Sequence, residues 1–324
     1  MKNLETIIVL DNQDIVSRVC GANDDNLKTL EAELGGRVFA RGNEVRIEHD
    51  DEEASARFKA VINGLVDAAR SGESPSSEYV KALTGAVEPV ALECAAVAHD
   101  PIRDAVIHIP NGFSRVYPRN GNQARYIQGM RACDVSFCIG PAGTGKTYLA
   151  VAEALRLVLS KKTRKLALTR PVVEAGENLG FLPGDLMQKI NPYLRPLYDA
   201  MESLVPFEVV RRLEETRAIE IAPLAYMRGR SLNDSVIILD EAQNTTKEQM
   251  KMFLTRLGQG SRSIITGDIT QIDLPKRVDS GLLHAVSLLK DVEGIHFSYL
   301  HTADVVRNPL IKKIIQAYDN ENQI

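Results

Sequence analysis

Eight consecutive residues, Gly140-Pro141-Ala142-Gly143-Thr144-Gly145-Lys146-Thr147, satisfy every fixed position of the pattern G-x-x-x-x-G-K-S/T. The chemistry served by that spacing is the holding of a triphosphate. Its glycines let the backbone curl until successive N–H groups point inward at phosphate oxygens. A helix starting at the end of the loop adds its positive N-terminal end. Lys146 is then placed to reach the β- and γ-phosphates, and the Thr147 hydroxyl to ligate Mg²⁺. A glycine-rich turn before a helix would account for the glycines but for neither Lys146 nor Thr147.

Two further stretches carry matching chemistry. Val236-Ile237-Ile238-Leu239-Asp240-Glu241 is an apolar run ending in two acids. On a buried strand beside the phosphate loop, Asp240 holds Mg²⁺ through water. Glu241 orients or deprotonates an attacking water. The competing reading makes both acids N-terminal caps of the next helix. Ile264-Ile265-Thr266-Gly267-Asp268-Ile269-Thr270-Gln271 is a second apolar strand with a polar end. There Gln271 would bond the γ-phosphate or its water, with Asp268 steadying the loop; taken alone, a plain polar turn after a strand is the alternative. A carboxylate for water favours hydrolysis over transfer to a small substrate.

These residues need strands to aim them and helices to cover the strands. Val135 to Ile139 reads as the strand before the loop, with a helix from the loop to about Ser160. Lys165 to Thr169, Ala218 to Ile221, Val236 to Leu239, Arg262 to Thr266 and Ile295 to Tyr299 are further strands. Helices are expected over Leu186–Met201, Lys247–Leu257, Ser280–Lys290 and Ala303–Ala317. Alternation of this kind implies an α/β fold with a mainly parallel sheet covered on both faces. Ligands then bind beyond the C-terminal strand edges.

Upstream, a strand over Thr6–Leu10, helices over Asn12–Cys20 and Asn26–Leu34, a hairpin turning at Arg41-Gly42-Asn43 and a helix over Glu52–Ala69 form a small α/β unit. Ser71 to Ser77 is polar and broken by Gly and Pro, the mark of a linker. The expected division is residues 1–72, a connecting segment over 73–105 that is partly helical around Ala91–Ala98, and a domain over 106–324.

The chain has 324 residues, 44% of them apolar and 25% charged, enough for a sizeable core. A net charge of −4 and 5% aromatics without Trp exclude a whole-surface nucleic-acid footprint or a broad stacking platform, so any such site is local. Four cysteines, Cys20, Cys94, Cys133 and Cys138, lack C-x-x-C spacing and read as free thiols. Neither a signal peptide nor a membrane span is expected, which points to the cytoplasm.

Taken with their connecting text, the three stretches resemble the PhoH-like family of bacterial ATPases. The residues carrying the likeness are Gly140–Thr147, Leu168–Glu177, Gly180–Asp185, Leu239–Asn244 and Gly267–Gln271. The resemblance implies a RecA-like P-loop NTPase core related to superfamily 1 helicases, ATP as substrate, ring-shaped hexamers, RNA as a partner and a ribonuclease partner. It implies that Gln123 reads the adenine edge and Tyr126 stacks or packs; an ordinary helix N-terminus with a core tyrosine is the alternative. Arg307 looks like the family's late arginine, reaching a γ-phosphate in its own subunit or a neighbour's, or else a surface arginine. Residues 1–72 are similar to a KH-like unit but lack the G-x-x-G clamp at Gly21-Ala22-Asn23-Asp24. They carry nine Lys/Arg against fourteen Asp/Glu, which favours protein docking or a degenerate RNA module.

Local basic residues keep RNA in view. Arg228-Gly229-Arg230 would line a nucleic-acid path or serve as an arginine finger, whereas Lys161-Lys162 with Arg164-Lys165 suits a helix C-cap. The leading expectation is Mg-dependent ATP hydrolysis coupled to RNA remodelling or unwinding. With one motor lobe, a neighbour would complete the site through Arg307 or Arg170. The alternatives are a nucleotide-gated binding module and a kinase.

Overall fold

The computed structural model describes residues 4–10, 12–49, 52–86, 101–171, 186–275 and 277–305. The expected helix around Ala91–Ala98, Cys94, the stretch 172–185, and Arg307 with the part of the expected Ala303–Ala317 helix beyond 305 lie outside the described residues; Thr302–Asp304 is a single 3-10 turn. Contacts divide the chain into two compact units, Met1–Val106 with Tyr117–Ala124, and Ile107–Val116 with Arg125–Ile324.

In the first unit, β1 (Leu4–Val9), β2 (Arg37–Arg41) and β3 (Glu44–His49) form an antiparallel sheet in the order β1-β3-β2. Its helices are α1 (Gln13–Cys20), α2 (Asp25–Leu34), α3 (Glu52–Arg70), α4 (Ser77–Ala86) and the single turn α5 (Pro101–Asp104). Asn12 caps α1, its side chain accepting from the Ile15 N–H at 2.9 Å. The hairpin turn is tighter than expected, because Arg41 pairs with Glu44 and leaves only Gly42-Asn43 between the strands. Helix α4 packs on α2 and α3, and Leu30, Phe58, Ile62, Leu65 and Val80 are fully buried. Between α1 and α2, Asn23 and Asp24 adopt the left-handed conformation (φ 55° and 59°) that a second glycine would take without strain.

The second unit holds one sheet of six parallel strands. They are β6 (Val135–Ile139), β7 (Lys165–Arg170), β8 (Ile219–Pro223), β9 (Ser235–Leu239), β10 (Arg262–Gly267) and β11 (Ile295–Tyr299), ordered β11-β6-β10-β9-β7-β8. A two-residue pairing of β4 (Ile107–His108) with β5 (Arg115–Val116) precedes it. Every residue of β9 is buried, as a continuous apolar run requires when both sheet faces are covered. The covering helices are α6 (Gly121–Ala132, whose first residues belong to the other unit), α7 (Lys146–Leu159), α8 (Leu186–Glu202), α9 (Phe207–Glu215), α10 (Lys247–Leu254) and α11 (Gly281–Leu289). Phe137, Leu239, Phe253, Ile265 and Leu282 belong to one core, and the Phe137 and Phe297 rings stack at 4.7 Å across β6 and β11.

Ten of the fourteen residues of α7 are buried. They include Glu153, whose carboxylate is held by Arg131 and Arg156. The helix stops in the expected basic turn: Lys161 is left-handed at φ 57°, its N–H bonds the Val158 carbonyl, and the Lys162 N–H bonds that of Leu157. Helix α10 ends three residues earlier than its periodicity suggests, since Leu257 leaves it to bridge Leu232. Helix α9 and the β4–β5 pair were not foreseen. Among the described residues, no helix is long and apolar enough to cross a membrane.

Candidate nucleotide site

The loop Gly140–Gly145 leaves β6 at its C-terminal end and enters α7 directly. Gly143 and Gly145 have φ of 81° and 84°, a conformation that a side chain at either position would strain. The Thr144 hydroxyl donates to the Pro141 carbonyl at 2.8 Å and locks the curl. Lys146 folds along the inside of the loop, its Nζ donating to the Gly140 and Pro141 carbonyls at 2.6 and 2.8 Å. Burial pulls the Lys146 ammonium below the ordinary lysine range, while Asp268, Glu241 and Asp240 act against that pull.

Strand β9 ends at the same edge. The Asp240 N–H donates to the Thr169 carbonyl at 2.9 Å, which aligns the ends of β9 and β7. Asp240 is 2% exposed. Its Oδ1 accepts from the Thr147 and Thr266 hydroxyls at 2.7 and 2.6 Å, and its Oδ2 from Arg170 at 2.8 Å. The same Arg170 Nη2 reaches Glu241 Oε1 at 3.0 Å. Glu241 sits in the left-handed region (φ 53°, ψ 39°), which costs a residue with a Cβ roughly 1–2 kcal/mol. Such strain persists only where neighbours fix it, and here the Asn244 N–H bonds the Glu241 carbonyl at 3.0 Å.

Strand β10 brings the third stretch alongside. Asp268 Oδ2 accepts from the Ala142 N–H of the phosphate loop at 3.0 Å, and its Oδ1 from the Thr270 N–H and hydroxyl. Gly267 has no room for a Cβ, which would meet Leu282 at 2.5 Å and the Gln243 amide oxygen at 3.0 Å. A cavity of about 260 Å³ is lined by Ala142, Gly143, Gly145 to Tyr148, Asp240, Glu241, Gly267, Asp268 and Gln271. The structure therefore brings Lys146, Thr147, Asp240, Glu241 and Gln271 together around one cavity. The acids do not act as caps of the following helix: α10 is capped by Thr246, in a box with Gln249.

Other expected residues stand elsewhere or have different partners. Tyr126 is fully buried, its hydroxyl 3.5 Å from the Lys146 carbonyl, so it packs in the core and offers no face for stacking on a base. Burial also pushes its phenol well above the ordinary tyrosine range. Gln123 is 3% exposed, and its side-chain oxygen accepts from the Arg119 N–H at 2.7 Å. Its own N–H bonds Asn120 Oδ1 at 2.9 Å, the pattern of a capped helix N-terminus. Arg230 is committed to Glu220, at 2.6 and 2.8 Å, and Lys165 bonds the same carboxylate. Arg230 and Lys165 together hold the Glu220 carboxyl down to about 2. Arg170 binds the acids of its own chain, Asp240 and Glu241. Sequence reasoning gave no role to Thr266 or Gln243; their only signal was position, at the end of an apolar strand and two residues past Glu241.

A G-x-x-x-x-G-K-T loop between a parallel strand and a buried helix, with an acid-tipped strand beside it, defines the P-loop NTPase class. Residues 115–319 match the family described as PhoH-like protein. The chain belongs to this family. It is 46% identical to the PhoH-like protein of Mycobacterium tuberculosis strain H37Rv, over 94% of this chain and 85% of that one. Identity to the PhoH-like protein of Bacillus subtilis is 45%, over 97% of each chain. Protein PhoH of Escherichia coli K12 is 38% identical over 81% of this chain and 73% of its own length. Among solved structures, Pif1 helicase from Candida albicans aligns with 61% of this chain and 42% of its own, at a TM-score of 0.33 and 16% identity.

Proposed function

We propose that this chain hydrolyses ATP with Mg²⁺ and couples the cycle to binding, remodelling or unwinding RNA as an oligomeric ring. The observation that carries the hydrolytic part is the meeting of Thr147 and Asp240, 2.7 Å apart at the mouth of the phosphate loop, with Glu241 beside them. A hydroxyl and a carboxylate are hard oxygen donors and suit Mg²⁺. When bound, that ion neutralises charge on the β- and γ-oxygens. Thr147 would hold it directly and Asp240 through water. Lys146 and the backbone N–H groups of Gly143 to Thr147 would bind and orient the phosphates. Glu241 would take up the proton of the attacking water, and Gln271 would orient that water or the γ-phosphate.

Glu241→Gln keeps shape and hydrogen bonding but removes the base. Phosphate release is expected to fall by about 10²–10⁴-fold while ATP stays bound. Rapid turnover by this variant would remove Glu241 from the role. Label passing from γ-labelled ATP to an acceptor, instead of appearing as free phosphate, would replace hydrolysis with a kinase reading.

RNA coupling rests on the family and on exposed Arg228 and Tyr226, two residues apart in sequence, with Tyr226 44% exposed. Added single-stranded RNA is expected to raise steady-state phosphate release at low salt and to lose that effect as salt rises. A rate indifferent to RNA, together with ATP-dependent sedimentation, would favour a nucleotide-gated assembly module. Arg307 remains our candidate for a late arginine at a γ-phosphate.

A further inference from the structure

Gln243 lies two residues beyond Glu241, is 1% exposed and lines none of the nucleotide cavity. Its side-chain amide nevertheless joins three pieces of the site. The nitrogen donates to Glu241 Oε2 at 2.6 Å and to the Gln271 carbonyl at 3.1 Å. The oxygen accepts from the Asp268 N–H at 2.9 Å. Asp268 in turn holds the Ala142 N–H of the phosphate loop, and Arg170 holds the other oxygen of Glu241. A continuous path of hydrogen bonds thus runs from the phosphate loop through Asp268 and Gln243 to Glu241.

We propose that Gln243 is a positioning residue that ties the orientation of the Glu241 carboxylate to the conformation of the phosphate loop and the Asp268–Gln271 turn. This rests on the hydrolytic reading of Glu241. The physical case is geometric. A carboxylate has two oxygens, and here one is fixed by Arg170 and the other by Gln243, so its plane is set from both sides. Arg170 belongs to the end of β7 and responds to Asp240 as well. Among the described residues, Gln243 connects Glu241 to the turn that grips the phosphate loop. Its amide has no water to fall back on, because the side chain is buried and Gly267 leaves no space beside it. The Ser280 hydroxyl holds its backbone carbonyl at 2.7 Å and keeps the residue from swinging away. Displacement of Asp268 is therefore passed to Glu241, and a base moved by about 1 Å loses on the order of 10² in rate.

The test compares Gln243→Leu, which removes both halves of the amide, with Gln243→Glu, which retains the acceptor for Asp268 but opposes an oxygen to Glu241. Single-turnover hydrolysis is expected to fall about 100-fold in each. The Kd for a non-hydrolysable ATP analogue is expected to stay within about threefold, since a loss confined to kcat marks an interaction made in the reaction step. In the Glu241→Gln background, Gln243→Leu is expected to cost nothing further, because it acts through Glu241. An equal extra loss in that background, or a loss of analogue affinity matching the loss of rate, would reduce Gln243 to a structural role and overturn the proposal. If wild-type protein binds the analogue yet releases no phosphate, the hydrolytic reading fails on its own account. The tie is then judged by amide exchange: the analogue is expected to protect both 268–271 and 241–244 in wild type, but only 268–271 in Gln243→Leu. Unchanged protection of 241–244 in that variant overturns it.

Discussion

Lys146→Ala is expected to lower phosphate release by about 10³-fold and to weaken ATP binding at least tenfold, the scale of losing a direct charge-assisted contact to the developing phosphate charge. The size follows from what else surrounds the cavity. Asp240, Glu241 and Asp268 all line it, so a triphosphate enters a region already rich in negative charge. Among the described residues, Arg170 is the other cation held at the site, and Asp240 and Glu241 already pair with it. Lys146 is thus the cation whose donors face the phosphate loop itself, bonded only to the carbonyls of Gly140 and Pro141 in the contacts described. The variant should fold, because Lys146 itself lines the cavity and its removal leaves space that water can enter. Phosphate release measured alongside the thermal midpoint separates the two effects, and activity within tenfold of wild type would move the triphosphate elsewhere.

Arg170→Ala is expected to be the most destabilising single change at the site. The Arg170 side chain is 15% exposed and that of Asp240 3%, so the pair is screened little by solvent. Removing one partner of a buried ion pair leaves the other charge uncompensated and costs about 3–5 kcal/mol. Glu241, 40% exposed at its side chain, contributes less to that loss. Denaturant unfolding should register the shift, and Asp240→Asn should recover part of it in the double variant, because the charge left behind is then removed. A single substitution that unfolds at the wild-type midpoint would show that water reaches Asp240 freely. Arg170→Lys is expected to fall between the two, since one nitrogen serves both carboxylates but a lysine brings it on a different stem.

Much of this site was legible from the residues because its parts are local. Lys146 and Thr147 are fixed by the strand–loop–helix around them, and Asp240 by the end of an apolar strand. Strand order was not legible: nothing in the spacing places β10 between β6 and β9, yet that insertion is what carries Asp268 to Ala142. The Gln243 bonds span 25 and 28 residues to Asp268 and Gln271, and they depend on rotamers that pattern does not encode. Residue type left two readings open. Tyr126 and Gln123 have the chemistry of base recognition, but burial decides what a side chain meets, and burial at a helix start depends on the neighbouring chain. Arg230 and Arg170 read as available cations until their acids, Glu220, Asp240 and Glu241, came into place. The two-residue strands β4 and β5 are too short for a periodic signal.

Helix α7 begins at the phosphate-loop motif and is enclosed along most of its length, with an internal carboxylate pinned by two arginines. A rod gripped in this way behaves as an anvil. A phosphate that arrives or leaves, as proposed, would find little give along this helix, and the more exposed turn after β10 is where the site can yield. In the proposed cycle, a displacement at the phosphate loop is expected to pass sideways across the sheet edge, from β6 to β10, because Asp268 holds the Ala142 N–H.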